Sequence, residues 1–88
     1  MIHEEKKREI RFNNITSLAE TVIELEKGKN TLDIYLEKGM LDIKLYSERD
    51  IIIEETIKTS KKIEVEVSRK GGYILNVTGS HGKGKIKY

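Results

Sequence analysis

The chain has no cysteine, no proline, only two histidines, few aromatic residues and no long apolar run. Without cysteine there is neither a disulfide framework nor a thiolate metal site. That absence does not fix the compartment. Without an apolar run of sufficient length there is no signal peptide and no transmembrane helix to be read. The location is then cytoplasmic if the 88 residues are the full chain, or extracytoplasmic if they are a mature domain of a longer precursor. A catalytic histidine needs an orienting carboxylate and a nucleophile beside it. His3 lies in a charged leader and His81 between Ser80 and Gly82, and nothing in the sequence positions either partner. No catalytic, cofactor-binding or metal-binding residue is assigned, and the chain reads as a non-enzyme.

What is present is charge and alternation. Charged residues make up 36% of the chain, and the two signs are interspersed, which favours a folded, solvated surface over a disordered polyelectrolyte. A net charge of +2 does not by itself argue for nucleic acid. The length gives one domain with a modest core. Residues 1–9 are mostly charged and are expected to be a flexible segment, with a single β domain over 10–88.

Along the chain, Ile10 and Phe12 alternate with Arg11 and Asn13 as a first strand. Ser17 to Gly28 has two readings. Ser17 and Glu20 fit a capping box, with Leu18, Val22 and Leu25 at helical spacing. Alternatively Glu20 to Lys27 is a strand with Ile23 and Leu25 inward, which the branched residues Thr21, Val22 and Ile23 favour. The strand is preferred because every later segment is β.

Leu32, Ile34 and Leu36 form one inward row, and Leu41, Ile43 and Leu45 another. Lys38-Gly39 is read as the turn of a hairpin between them. Ile51 to Ile57, Ile63 to Val67 and Tyr73 to Thr78 are further strands. Ser80-His81-Gly82-Lys83-Gly84 is read as a flexible hairpin loop before a last strand at Lys85 to Tyr88. The sum is seven or eight short antiparallel strands at about ten-residue spacing, a β-sandwich of Ig-like or jelly-roll-like outline.

Gly79 to Lys85 spells the start of a phosphate-binding loop, but Ile86 stands where Ser or Thr is needed and no helix can follow. A glycine-rich hairpin explains the same letters. Asp33 and Asp42, on adjacent strands, suggest at most weak Ca²⁺ binding, and the spacing of strong sites is absent. Cross-strand salt bridges are the better use of such acids. The triplets at Asn14 and Asn76 match a glycosylation acceptor incidentally. Tyr35 and Tyr46, with Asp33 and Lys44, are expected on an outward sheet face and form the candidate interaction surface. A basic strip of Lys61, Lys62, Arg69, Lys70, Lys83, Lys85 and Lys87 is the alternative, a surface for single-stranded nucleic acid.

The residues Lys27-Gly28, the strand Gly39 to Leu45, Ile51-Ile52-Ile53 and the run Gly72-Tyr73-Ile74-Leu75-Asn76-Val77-Thr78-Gly79 together resemble a small β-sandwich of bacterial surface proteins and lipoproteins. The pre-peptidase C-terminal domains and the GOLD-type sandwiches share this layout. The resemblance covers roughly residues 20–88 and rests on structural positions, so no functional residue transfers. It implies a non-catalytic accessory or interaction domain of an extracytoplasmic protein, with a protein or cell-surface partner. An exposed edge strand offers a route to a homodimer.

Overall fold

The structure is a computed structural model that describes residues 2–6 and 8–88, and the side chains of residues 8–14 and 16–88. Expectations for the leader, including His3, therefore fall partly outside the described residues. Among the described residues seven strands follow one another: β1 (Ile2–Lys6), β2 (Glu9–Ile15), β3 (Ala19–Leu25), β4 (Gly28–Tyr46), β5 (Ile51–Ile57), β6 (Lys61–Val67) and β7 (Gly71–Lys87). All pairings are antiparallel and belong to one continuous sheet.

Within the segment from Ser17 to Gly28, Ala19–Leu25 is a strand. Ile23 and Leu25 are fully buried, while Leu18 and Val22, the helical-face residues, are 60% and 59% exposed. A helix would have buried the second pair.

Two expected turns are corrected. Lys38-Gly39 lies inside β4, and Ser80 to Gly84 lies inside β7. These strands are long, at 19 and 17 residues, and pair with each other from Asp33↔Lys87 to Tyr46↔Ile74. β4 and β7 thus form a two-stranded ribbon down the middle of the molecule. One side of β7 takes β2 at its C-terminal end and β3 at its N-terminal end. The far side of β4 takes β6 at its start and β5 at its end.

Midway, the ribbon has a corner. The register runs Leu36↔Gly84, Lys38↔Lys83, Met40↔Ser80. One residue is inserted in β4 at Glu37, and one in β7 between Lys83 and Ser80. These are β-bulges, which bend strands and break the alternation. Inward positions are Leu32 and Ile34 before the corner but Leu41, Ile43 and Leu45 after it. In β7 they are Tyr73, Leu75 and Val77, then Ile86. The inward face changes parity on both strands together, so it remains one face. His81 and Asn14 sit at the corner with φ of 54° and 53°, and His81 Nδ1 lies 2.9 Å from Asn14 Oδ1.

Chain connectivity then folds the ribbon double. Leu25 ends β3 opposite Gly71, and Gly28 starts β4 opposite Val67. Only Glu26 and Lys27 lie between, a span of about 10 Å at full extension. The two ends of the ribbon, far apart along the sheet, are held together by that link. Arg8 Nη1 closes the same side by donating to the Glu24 carbonyl oxygen at 3.3 Å. The space between the halves is filled by one cluster, including Ile10, Phe12, Ile23, Leu32, Leu45, Ile57, Val65, Leu75 and Ile86. Each such side chain contributes about 1.5–3 kcal/mol on burial.

Candidate functional site

The corner splits the expected surface. Tyr35 and Tyr46 both point outward, but Tyr35 belongs to the half built by β2 and β6, and Tyr46 to the half built by β3 and β5. Asp33 goes with Tyr35 and Lys44 with Tyr46, so four residues read as one patch form two. The sequence joined them because a hairpin between Leu36 and Leu41 would have set the two tyrosines on neighbouring strands.

Around Tyr46 the strands align Val22, Ile74, Tyr46 and Ile51 in one row. Val22 and Ile51 are each 59% exposed. Tyr46 is held by its neighbours: its hydroxyl donates to Glu20 Oε2 at 3.1 Å and accepts from Asn76 Nδ2 at 3.4 Å. Lys44 Nζ lies 5.4 Å from the ring centroid. The next row is Glu20, Asn76, Lys44 and Glu54. Beside it is a shallow depression of about 450 Å³ lined by Leu18, Asp42, Lys44, Thr56 and Asn76. Asn76 Oδ1 is buried there without a hydrogen-bond donor.

Around Tyr35 the chemistry differs. Arg11, Lys85 and Tyr35 lie abreast on β2, β7 and β4, and Glu9, Lys87, Asp33 and Lys62 form the adjacent row. Lys85 and Lys87 place Nζ 5.2 and 5.8 Å from the Tyr35 ring centroid. A groove of about 460 Å³ runs past the ring, lined by Arg11, Asn13, Glu37, Lys83 and Lys85 among others. The acids are engaged at its margins. Glu9 pairs with Arg11 at 3.0 Å and Lys87 at 4.0 Å, and Glu37 with Lys83 at 3.5 Å. The Arg11 hydrogen bond, helped by the charges of Arg11, Lys85 and Lys87, holds the Glu9 carboxyl below its ordinary range against a desolvation that opposes it. Tyr35 donates to Asp33 Oδ2 at 3.2 Å. That hydrogen bond, with the Asp33 charge, raises the phenol above its ordinary value, so it remains a neutral donor at neutral pH.

The basic strip is only partly brought together. Lys83, Lys85, Lys87 and Lys62 share the Tyr35 face. Lys61 is exposed at the β5–β6 seam, where it pairs with Glu55 Oε2 at 2.6 Å. Lys70 pairs with Glu26 at the far turn, and Arg69 lies beside it. Asp33 and Asp42 lie on one strand, in opposite halves, and form no pair. Among the described residues no group of three His, Asp or Glu side chains could hold a metal ion. Gly79 to Lys85 is strand with no helix after it. Among the described residues no helix is long and apolar enough to cross a membrane. What sequence reading missed is Arg11, two positions beyond the leader, and Glu37, the inserted residue. Neither carries a local signal for its place beside the tyrosine.

No family model and no curated protein matches the chain. Among solved structures, a crystal structure of iron(II) HppE in complex with substrate aligns over all of this chain and 54% of that one, with a TM-score of 0.43 and 10% identity. The chain therefore spans about half the length of that structure.

Proposed function

We propose that the chain is a non-enzymatic interaction module, a β-sandwich of Ig-like or jelly-roll-like outline, serving a bacterial cell-envelope protein. The observation that carries the reading is the apolar row Val22, Ile74, Tyr46 and Ile51, laid across an outward sheet face of a chain that is 36% charged. Aligned exposed apolar side chains rimmed by charge mark protein contact surfaces. Tyr46 suits the centre, since its ring is pinned by Glu20 and Asn76 and loses little freedom on binding. The doubled sheet, with two ribbon halves enclosing one core, supports the sandwich reading. The resemblance to accessory domains of surface proteins supports the envelope assignment.

The test is a photo-crosslinking amino acid placed at Val22 in the native organism. A specific adduct with an envelope-fraction protein, lost in a Tyr46→Ala background, is expected. Absence of any adduct at Val22 or Ile51, with the folded domain present in the cell, would remove the reading.

A further inference from the structure

We infer that the opposite outward face, around Tyr35, binds single-stranded nucleic acid. Lys83, Lys85 and Lys87 alternate along one strand and project from one face. Their spacing is about 6.6 Å per step, of the order of successive phosphates in an extended strand. Tyr35 lies abreast of Lys85 and is 42% exposed. The arrangement is a cationic track with an aromatic platform at its edge, which is what sequence-tolerant single-strand binding requires.

The charge is local. The chain as a whole carries +2; the groove past Tyr35 is lined by Arg11, Lys83 and Lys85 against Glu37, and the adjacent row sets Lys87 and Lys62 against Glu9 and Asp33. Among the described residues no carboxylate lies within ion-pair distance of Lys85, whose ammonium rests over the Tyr35 ring instead. A lysine parked on an exposed ring is readily exchanged. The ammonium swings to a phosphate, and a base takes its place on the ring. The phenol stays tied to Asp33 throughout, which fixes the ring's orientation. Asn13 and Glu37 border the same groove.

One alternative fits less well. An anionic membrane surface would call for apolar side chains beside the lysines, and the exposed Leu18, Val22 and Ile51 lie in the other half.

The experiment is fluorescence anisotropy of a labelled oligothymidylate titrated with the full chain at low salt. Binding is expected to weaken as salt rises, with a log–log slope of about −2 for three lysine–phosphate contacts. Tyr35→Ala is expected to weaken binding about tenfold or more, and Tyr35→Phe to retain it. Lys85→Ala with Lys87→Ala is expected to flatten the salt slope. Val22→Glu, on the other face, is expected to leave affinity unchanged, which separates this site from the surface around Tyr46. Thermal melting of each variant establishes that it is folded. Absence of binding at low salt overturns the inference. So does a folded Tyr35→Ala protein with unchanged affinity and equal competition by a heparin fragment, which would mark the face as a general polyanion surface.

Discussion

Gly84 stands where no side chain fits. It pairs with Phe12 on one side and Leu36 on the other, and a Cβ built on it would overlap the carbonyl oxygen of Tyr35. Backbone cannot yield as a flexible side chain does. Gly84→Ala is therefore expected to destabilise the protein by about 2–3 kcal/mol, read from the urea midpoint. An unchanged midpoint would mean that β4 and β7 do not approach this closely at the corner. Gly39 is constrained twice, by a φ of 78° and by the His81 carbonyl oxygen 2.5 Å from the position of a Cβ. This scale is where the sequence was hardest to read. Glycines at 79, 82 and 84 are the letters of a hairpin loop and equally those of a bulged bend with close backbone contact. Local sequence does not distinguish them. The difference is made by β2 and β4, which claim both edges of the segment.

Alternation made most elements legible, because each period-two run has its aliphatic residues on one side. The β6 and early β7 segments need nothing more, whereas β5 opens on three consecutive isoleucines and carries a register shift there. β3 was the ambiguous element, and it supplies the sharpest test. Ile23 is fully buried and Val22 is largely exposed, the reverse of the order a helix from Ser17 would impose. Ile23→Asp is expected to cost more than about 4 kcal/mol, since it buries an unpaired charge, and to abolish the cooperative melt. Val22→Asp is expected to stay within about 0.5 kcal/mol. Comparable losses for both would argue against the strand. β4 was legible in its two halves but not as one strand. The parity change between Leu36 and Leu41 is the usual signature of a turn, and here it comes from one inserted residue, Glu37. The candidate surface inherited that error, which is why Tyr35 and Tyr46 were joined when they face opposite ways.

At the scale of the molecule the pairings are non-local. Glu9 pairs with Lys87 and Ile10 with Ile86, so β7 cannot be seated until almost the whole chain has been gathered. Folding is expected to take milliseconds to seconds, as a stopped-flow trace of tyrosine fluorescence would record. A microsecond phase carrying the full amplitude would contradict this topology. The outward faces also divide by charge. Glu20, Asp42 and Glu54 lie around Lys44 on the Tyr46 side, whereas around Tyr35 the bases Arg11, Lys62, Lys83, Lys85 and Lys87 outnumber the acids Glu9, Asp33 and Glu37. No composition reveals such a division, because both faces draw on the same interspersed sequence and only the corner sorts them. The corner also bears on descent. Its two inserted residues, one in β4 and one in β7, offset each other: the register resumes beyond them unchanged. Loss of either alone would turn half of one strand inside out and set Leu41, Ile43 and Leu45, or Tyr73, Leu75 and Val77, toward water. A lineage carrying this fold can therefore lengthen or shorten its outer turns one codon at a time, but at the corner it can change length only by paired events in two distant stretches of the gene.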